Sequence, residues 1–189
     1  NITVAGSNPT YANWTTANLG LTGIAITNNN YKYRSIVSNS CGSSATSNSA
    51  TLTVTIAYCT PTYSGGCATD YINNFSTTGG TTNITNNATG CNAQYYSALT
   101  VTQKAGSAFN VSMQSGAANG QGYRIWVDWN NDGDYADAGE DVFNAGSGTI
   151  VYGGAITIPA GTTTGVKRMR IRSARLCIPT TGQPCGAAC

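Results

Sequence analysis

Apolar and polar residues alternate along much of the chain, and this period of two constrains the fold more than any other feature of the sequence. Leucine, valine and isoleucine alternate with threonine over 51–57, and similar alternation recurs over 99–102 and 109–114. Successive side chains of a β-strand point to opposite faces of a sheet, so this pattern indicates half-buried antiparallel strands. Turn clusters such as 78–81 and 159–162 separate the strands, and no segment has the period of an amphipathic helix. The sequence predicts an all-β fold.

The composition excludes several functional classes. Only 8% of the 189 residues are charged and none is histidine, whereas about 25% charge is typical of soluble domains. Without histidine, a Ser-His-Asp triad, histidine acid–base catalysis and most zinc sites are excluded. The net charge of +2 is too small to indicate nucleic acid or an anionic membrane surface as a partner. Because no apolar run approaches the roughly 20 residues of a membrane span, we expect no such span.

The seven cysteines form no C-x-x-C pair, and disulfides persist in oxidising compartments, so they predict an extracellular protein. Reduced thiols of a cytosolic protein are the alternative. The number is odd, so at least one cysteine lacks an intrachain partner. Six cysteines allow about fifteen connectivities, and among them we expect a local Cys59–Cys67 loop. The disulfide candidates are Cys59, Cys67, Cys91, Cys177, Cys185 and Cys189.

The composition changes near residue 57, where a threonine-rich strand ends and a segment richer in cysteine and glycine begins. The preceding part resembles the last two strands of bacterial immunoglobulin-like domains, which place a corner tyrosine two residues before a core cysteine. Tyr33 matches that tyrosine, but Ser35 stands in place of the cysteine. We expect 1–57 to be the C-terminal part of such a domain and 58–189 to form a second domain. The alternative is that 1–57 adds strands to the second domain.

Every acidic residue except Asp70 lies between Asp128 and Asp141. Clustered like charges are costly unless a cation lies among them. The segment reads D-x-N-x-D-G-D, the front half of a calcium loop, in which oxygen ligands recur at every second residue. A β-strand precedes it, so we expect a hairpin calcium site and not an EF-hand; the alternative is an ordinary turn. The predicted ligands are Asp128, Asn130, Asp132 and Asp134, with Glu140, or else Asp137 or Asp141, completing the shell.

Arginines recur at every second position of a predicted strand near the C-terminus, at Arg168, Arg170 and Arg172. A row of guanidinium groups on one face could bind carboxylated or sulfated glycans. The alternatives are that the arginines pair with the acidic hairpin, or that they keep a sheet edge solvated.

Two tryptophans, Trp126 and Trp129, lie on opposite faces if their strand continues that far. Both can belong to a core only if the strand is covered on both sides. Core packing is the favoured interpretation, and an exposed ring that stacks on sugars is the alternative, for which Trp126 is a candidate.

The chain from Tyr58 onward resembles the GEVED-domain family of secreted multidomain proteins. The resemblance rests on the opening Tyr-Cys-Thr-Pro at 58–61, Ile-Trp-Val-Asp-Trp-Asn-Asn-Asp-Gly-Asp at 125–134, Arg-Met-Arg-Ile-Arg at 168–172 and Pro-Cys-Gly at 184–186. It implies an antiparallel β-sandwich, which we expect to be jelly-roll-like, beside immunoglobulin-like repeats in large proteins of the type IX secretion route. The Gly-Glu-Val-Glu-Asp stretch that names the family would follow Cys189, so we expect the final strand to be missing.

Together these features predict a non-enzymatic structural or adhesive module of a secreted bacterial cell-surface protein or filament, stabilised by calcium and disulfides. Glycans or further copies of the same protein are the expected partners. The alternative is a carbohydrate-binding accessory domain of a secreted hydrolase or peptidase. A hydrolase in its own right is disfavoured, because it needs two carboxylates across a cleft and the acids are confined to one hairpin.

Overall fold

The computed structural model describes residues 9–62, 71–91, 95–116, 120–149 and 151–187. Over these ranges it is all-β, with antiparallel ladders and a single 3₁₀ turn at Ile26–Asn28. Within these ranges no helix is long and apolar enough to cross a membrane. The chain forms two compact units, Asn1–Ala57 and Tyr58–Cys189.

The first unit consists of short antiparallel ladders. Its strands are β1 (Thr10–Ala12), β2 (Gly20–Thr22), β3 (Lys32–Tyr33), β4 (Ile36–Ser38), β5 (Ser44–Thr46) and β6 (Ala50–Thr51). They pair as β1–β2, β3–β6 and β4–β5. The predicted strand over 51–57 keeps its alternating burial, but only Thr51 belongs to a ladder. Beyond it, the main-chain amide of Val54 donates to the side chain of Asn29 and not to a strand. The immunoglobulin-like identity of this unit stays a prediction.

The second unit is a β-sandwich of two antiparallel sheets. Its strands are β7 (Ile72–Thr78), β8 (Thr85–Asn86), β9 (Ala108–Ser115), β10 (Gln121–Asp128), β11 (Asp141–Thr149), β12 (Val151–Thr157) and β13 (Arg168–Arg175). One sheet has the order β11-β10-β13 and the other β12-β9-β7-β8. The predicted all-β sandwich is confirmed.

The core of this unit lies between the two sheets and follows the period of two. In β9, Phe109, Val111 and Met113 are buried while their neighbours Ala108, Asn110 and Ser112 are exposed. Burying one such side chain contributes roughly 1.5–3 kcal/mol. The core residues are Phe75, Ile84, Phe109, Val111, Met113, Tyr123, Ile125 and Ile156. The segment 99–102, predicted as a strand, forms an isolated bridge between Thr82 and Thr102 and not a ladder.

Strand β10 is covered on both faces. All its residues except Arg124 are buried. Tyr123 and Ile125 face the core, whereas Trp126 and Asp128 lie on the opposite face, which we call the outer face. The outer face is covered by residues 58–62 and 177–187, which we call the end segments. Their carbonyl groups accept hydrogen bonds from side chains of this sheet.

Candidate functional site

The acidic hairpin, residues 128–141, connects β10 to β11. Its loop folds around Asp128, the last residue of β10. This carboxylate is fully buried. Its Oδ1 accepts hydrogen bonds from the main-chain amides of Asn131 and Asp132. Its Oδ2 accepts from the amide of Gly133 at 3.0 Å and from the hydroxyl of Tyr58 at 2.7 Å. Both oxygens of Asp128 therefore have protein donors that fold the loop around them.

The loop curls through a series of side-chain turns. Oδ1 of Asn130 and of Asp132 each accepts from the amide two residues later at 3.1 Å. Asp134 repeats the pattern with the amide of Ala136 at 2.8 Å. Asparagine and aspartate side chains favour such turns because they mimic a main-chain carbonyl. Gly133, with φ of 102°, supplies the left-handed conformation that the curl needs. The spacing that predicts calcium ligands thus also predicts this curl.

Two carboxylates meet at the amide group of Asn130. Its Nδ2 donates to Oδ2 of Asp132 at 3.0 Å and to Oδ2 of Asp137 at 2.6 Å. The structure thereby brings together three of the residues that the sequence analysis singled out. By contrast, Asp141 forms an ion pair with Arg124 of the neighbouring strand β10. One of the three residues predicted to complete the calcium ligands is therefore already paired with an arginine.

Glu140 lies at the end of the loop and is only 2% exposed. Its Oε1 accepts from the main-chain amide of Trp129 at 2.9 Å. Its Oε2 is buried without a hydrogen-bond partner in the described part of the chain. Burial raises the pKa of the Glu140 carboxyl, the bond from Trp129 opposes that rise, and the carboxylates of Asp128 and Asp132 add to it. An ionised carboxylate in such a position needs a positive charge nearby.

The carboxylates do not by themselves form a complete metal site. Over the described ranges, no three aspartate, glutamate or cysteine side chains are grouped closely enough to hold a metal ion. Calcium takes six to eight oxygens, including carbonyl, amide, hydroxyl and water oxygens. A cation at this loop would therefore depend on neutral oxygens together with Glu140 and one or two aspartates.

Trp126 is a core residue of the outer face. It is 0% exposed, and its Nε1 donates to the carbonyl of Thr181 at 3.1 Å. A ring in this position offers no face to a sugar, so Trp126 is not a stacking platform. Trp129 is half-buried, and its Nε1 donates to the carbonyl of Gly139. The condition stated for two core tryptophans, a strand covered on both sides, is met by β10.

Two arginines of the row hold the end segments. Arg170 donates to the carbonyls of Cys59 and Pro184 at 2.8 and 3.1 Å. Arg172, only 2% exposed, donates to the carbonyls of Thr62 and Gln183 at 2.7 and 2.6 Å. The glycan-binding interpretation is wrong for these two guanidinium groups, because they are buried beneath the chain's own main chain.

Arg168 is used differently from the other two arginines. Its guanidinium carbon lies 4.2 Å from the ring centre of Tyr58 and 3.9 Å from that of Tyr95. It thus lies over two aromatic rings, an arrangement that favours a cation. No sequence pattern predicted the tyrosines or the carbonyl groups as partners of the arginines.

A disulfide joins the two end segments. It links Cys59 to Cys185, with Cα atoms 5.8 Å apart and a sequence separation of 126. The preferred Cys59–Cys67 pairing is therefore wrong, because the fold brings the two ends of the unit together. Next to the bridge, the amide of Thr62 donates to the carbonyl of Cys185 at 2.9 Å.

The remaining cysteines fall into three groups. Cys91 and Cys177 are disulfide-bonded. Cys41 is a free and exposed thiol, as the odd number of cysteines requires for one of them. Cys67 and Cys189 lie outside the described residues.

Comparison with known proteins identifies one part of the chain. No curated protein and no solved structure matches the chain. The model of the GEVED domain matches residues 122–189, a shorter range than the resemblance from Tyr58 onward suggested. The match runs from the second residue of β10 to the C-terminal end segment and includes the acidic hairpin and β13. The similarity to the GEVED domain family is therefore limited to residues 122–189 of this chain.

Proposed function

We propose that this chain is a non-enzymatic structural module of a large secreted bacterial protein, displayed on the cell surface or built into a filament, and stabilised by calcium and disulfides. The GEVED match supports an extracellular module. The outer face supports a structural role, because its arginines and its tryptophan hold the chain's own end segments. Export by the type IX route and contacts with further copies of the protein are part of this proposal.

The observation that carries the proposal is the Cys59–Cys185 bridge. It joins the second residue of the second unit to a residue close to that unit's last one, across a sequence separation of 126. Tension applied to the two ends of the chain would pass through this bond and leave the intervening sandwich unloaded. Without the bridge, the same tension would extend those residues by about 3.3–3.6 Å each, in total about 400 Å.

Single-molecule pulling from both ends of the chain tests this role. We expect the oxidised chain to show no length gain of about 400 Å. The double variant Cys59→Ser and Cys185→Ser should show that gain, less the loops kept closed by the bridges of Cys91 and Cys177, and reductant should release the full length. Cys41→Ser is the matched control, because Cys41 is free and exposed. Full extension of the oxidised chain at the same force would contradict the proposal.

Calcium is the second part of the proposal, with Asp128, Asn130, Asp132, Asp134 and Glu140 as the expected ligands. The spacing of oxygen-bearing side chains and the unpartnered Oε2 of Glu140 support it. When bound, the ion supplies two positive charges among the carboxylates. At 100 times its dissociation constant, an ion that binds only the folded state stabilises it by about 2.7 kcal/mol. Thermal unfolding in calcium and in EDTA measures this difference, and equal midpoints would contradict a calcium site.

Glycan binding by an accessory domain is the second candidate function. Trp129 favours it, because this half-buried ring lines a cavity beside Asn130 and Asp137. Aromatic rings next to polar side chains suit a sugar. Titration with acidic and neutral oligosaccharides, using Trp129→Ala as the comparison, tests it. Binding that is equal in the two proteins, or absent from both, would contradict this candidate.

A further inference from the structure

The acidic hairpin and the loop that follows β12 line an open cavity of about 380 Å³. The hairpin contributes Trp129, Asn130, Asp137 and Glu140, and the second loop contributes Pro159 and Thr162. The hairpin belongs to the three-stranded sheet, whereas β12 belongs to the four-stranded sheet. The cavity therefore lies where the loops of the two sheets meet.

Two oxygen atoms of residues that line this cavity are buried and unpartnered. They are Oε2 of Glu140 and Oγ1 of Thr162, neither of which has a hydrogen-bond partner within the described ranges. Leaving a buried polar atom without a partner costs roughly 1–3 kcal/mol. Two residues with such atoms line one cavity from different loops, which points to a group bound there.

The charges on the cavity favour a cation. Asp137 and Glu140 are its acidic residues, and the described residues that line it include no lysine or arginine. The hydroxyl of Thr162 adds a neutral oxygen, and Asn130 adds its Oδ1, which also accepts from the amide of Asp132 at 3.1 Å. Carboxylates combined with neutral oxygens in an irregular cavity suit calcium, which accepts six to eight ligands in flexible geometry.

We infer that this cavity is the calcium-binding site, with Glu140, Asp137 and Thr162 as its principal ligands. The bound ion would cross-link the acidic hairpin to the loop after β12. The inference rests on the calcium part of the proposed function. It places the ion in this cavity and not within the Asp128–Asp134 segment. Asp128 accepts hydrogen bonds from four protein donors. It therefore stabilises the fold of the loop and is not a principal calcium ligand. Thr162 enters the site although it lies outside the D-x-N-x-D-G-D segment.

Calcium titration by calorimetry on the full chain tests the inference. Thr162→Val keeps the side-chain shape and removes the hydroxyl, and we expect about tenfold weaker binding, in the range seen for supporting groups of metal sites. Glu140→Gln keeps an oxygen that can accept from Trp129, and we expect about 100-fold weaker binding because a charged ligand is lost. Thr164→Val is the matched control, because Thr164 is exposed and does not line this cavity. We expect no change for this control, and a smaller loss of affinity for Asp134→Asn than for Glu140→Gln.

Terbium luminescence excited through tryptophan gives a second measurement. Trp129 lines the cavity, so Trp129→Phe should remove most of the sensitised emission while calcium affinity is retained. Emission that is unchanged by this substitution would overturn the proposed position of the ion.

The outcomes separate the two proposals. If Thr162→Val binds calcium normally while Asp134→Asn does not, the ion lies in the front half of the motif, and the inference fails while the calcium proposal stands. If the unaltered chain binds no calcium at millimolar concentration, both fail. The variants Thr162→Val and Thr164→Val keep the test valid even if Glu140→Gln does not fold, which circular dichroism would show.

Discussion

The hydroxyl of Tyr58 donates a 2.7 Å hydrogen bond to Oδ2 of Asp128, a residue 70 positions further along the chain. Burial and this bond raise the pKa of Tyr58 above its ordinary value. Tyr58 is the first residue of the second unit, and Asp128 is the residue around which the acidic hairpin folds. This bond thus couples the N-terminal end segment to the candidate cation site.

Replacing Tyr58 with phenylalanine should destabilise the second unit by about 1.5–3 kcal/mol, the usual range for a hydrogen bond to a charged group. The ring and its contact with Arg168 remain in this variant, so the effect isolates the hydroxyl. Urea denaturation measures it. Tyr95→Phe is the control, because Tyr95 also stacks on Arg168 but is 59% exposed. Equal losses in the two variants would contradict the structural role of the bond.

Replacing Arg172 with methionine should cost about 2–4 kcal/mol, because the carbonyl groups of Thr62 and Gln183 lose a charged donor. The end segments should also loosen. Hydrogen exchange at the Thr62 amide, which donates to the carbonyl of Cys185, should then become faster. Arg175→Met, at an exposed position of the same strand, is expected to change stability by less than about 0.5 kcal/mol. If Arg175→Met costs as much as Arg172→Met, charge alone accounts for the loss.

Replacing Gly122 with alanine should displace the C-terminal end segment. A Cβ atom at this position would collide with the main-chain carbonyl of Cys177 and press against Ile178. Such overpacking typically costs about 1–3 kcal/mol, which thermal unfolding would detect. A Cβ atom at Gly182 would instead enter open space, so Gly182→Ala should be neutral or stabilising by up to about 1 kcal/mol. An unchanged midpoint for Gly122→Ala would show that this end segment is not packed on β10.

The second unit should lose stability above pH 10. Burial raises the pKa of Tyr123 from 10.0 to about 12, so the unfolded chain releases this proton at lower pH than the folded chain does. Since the folded state then holds more protons, stability falls as the pH rises from 10 towards 12. Urea denaturation at pH 8 and pH 11 measures the fall, and Tyr123→Phe should make it shallower. Titration of all the tyrosinate absorbance near pH 10 in the folded protein would refute this prediction.

The strands of the second unit were predictable because their signal is local. In β9, Phe109, Val111 and Met113 alternate with polar residues because one face of the strand is buried and the other is exposed. The curl of the acidic hairpin was predictable for the same reason, since each of its side-chain turns joins residues two positions apart. By contrast, the segment 99–102 shows alternation without a ladder, because a strand also needs a partner that its own sequence does not supply.

The sequence by itself determined the all-β class, the position of the acidic hairpin and the presence of a cysteine framework, because composition, period and short-range spacing encode these properties. Only the tertiary structure decided that Cys59 pairs with Cys185, that Arg170 and Arg172 bind main-chain carbonyls, and that Thr162 lies on the same cavity as Glu140. The physical reason is that these contacts join residues distant in the chain. Their partners depend on how the sheets and the end segments pack. A main-chain carbonyl group cannot be predicted as a partner from residue types, because every residue has one.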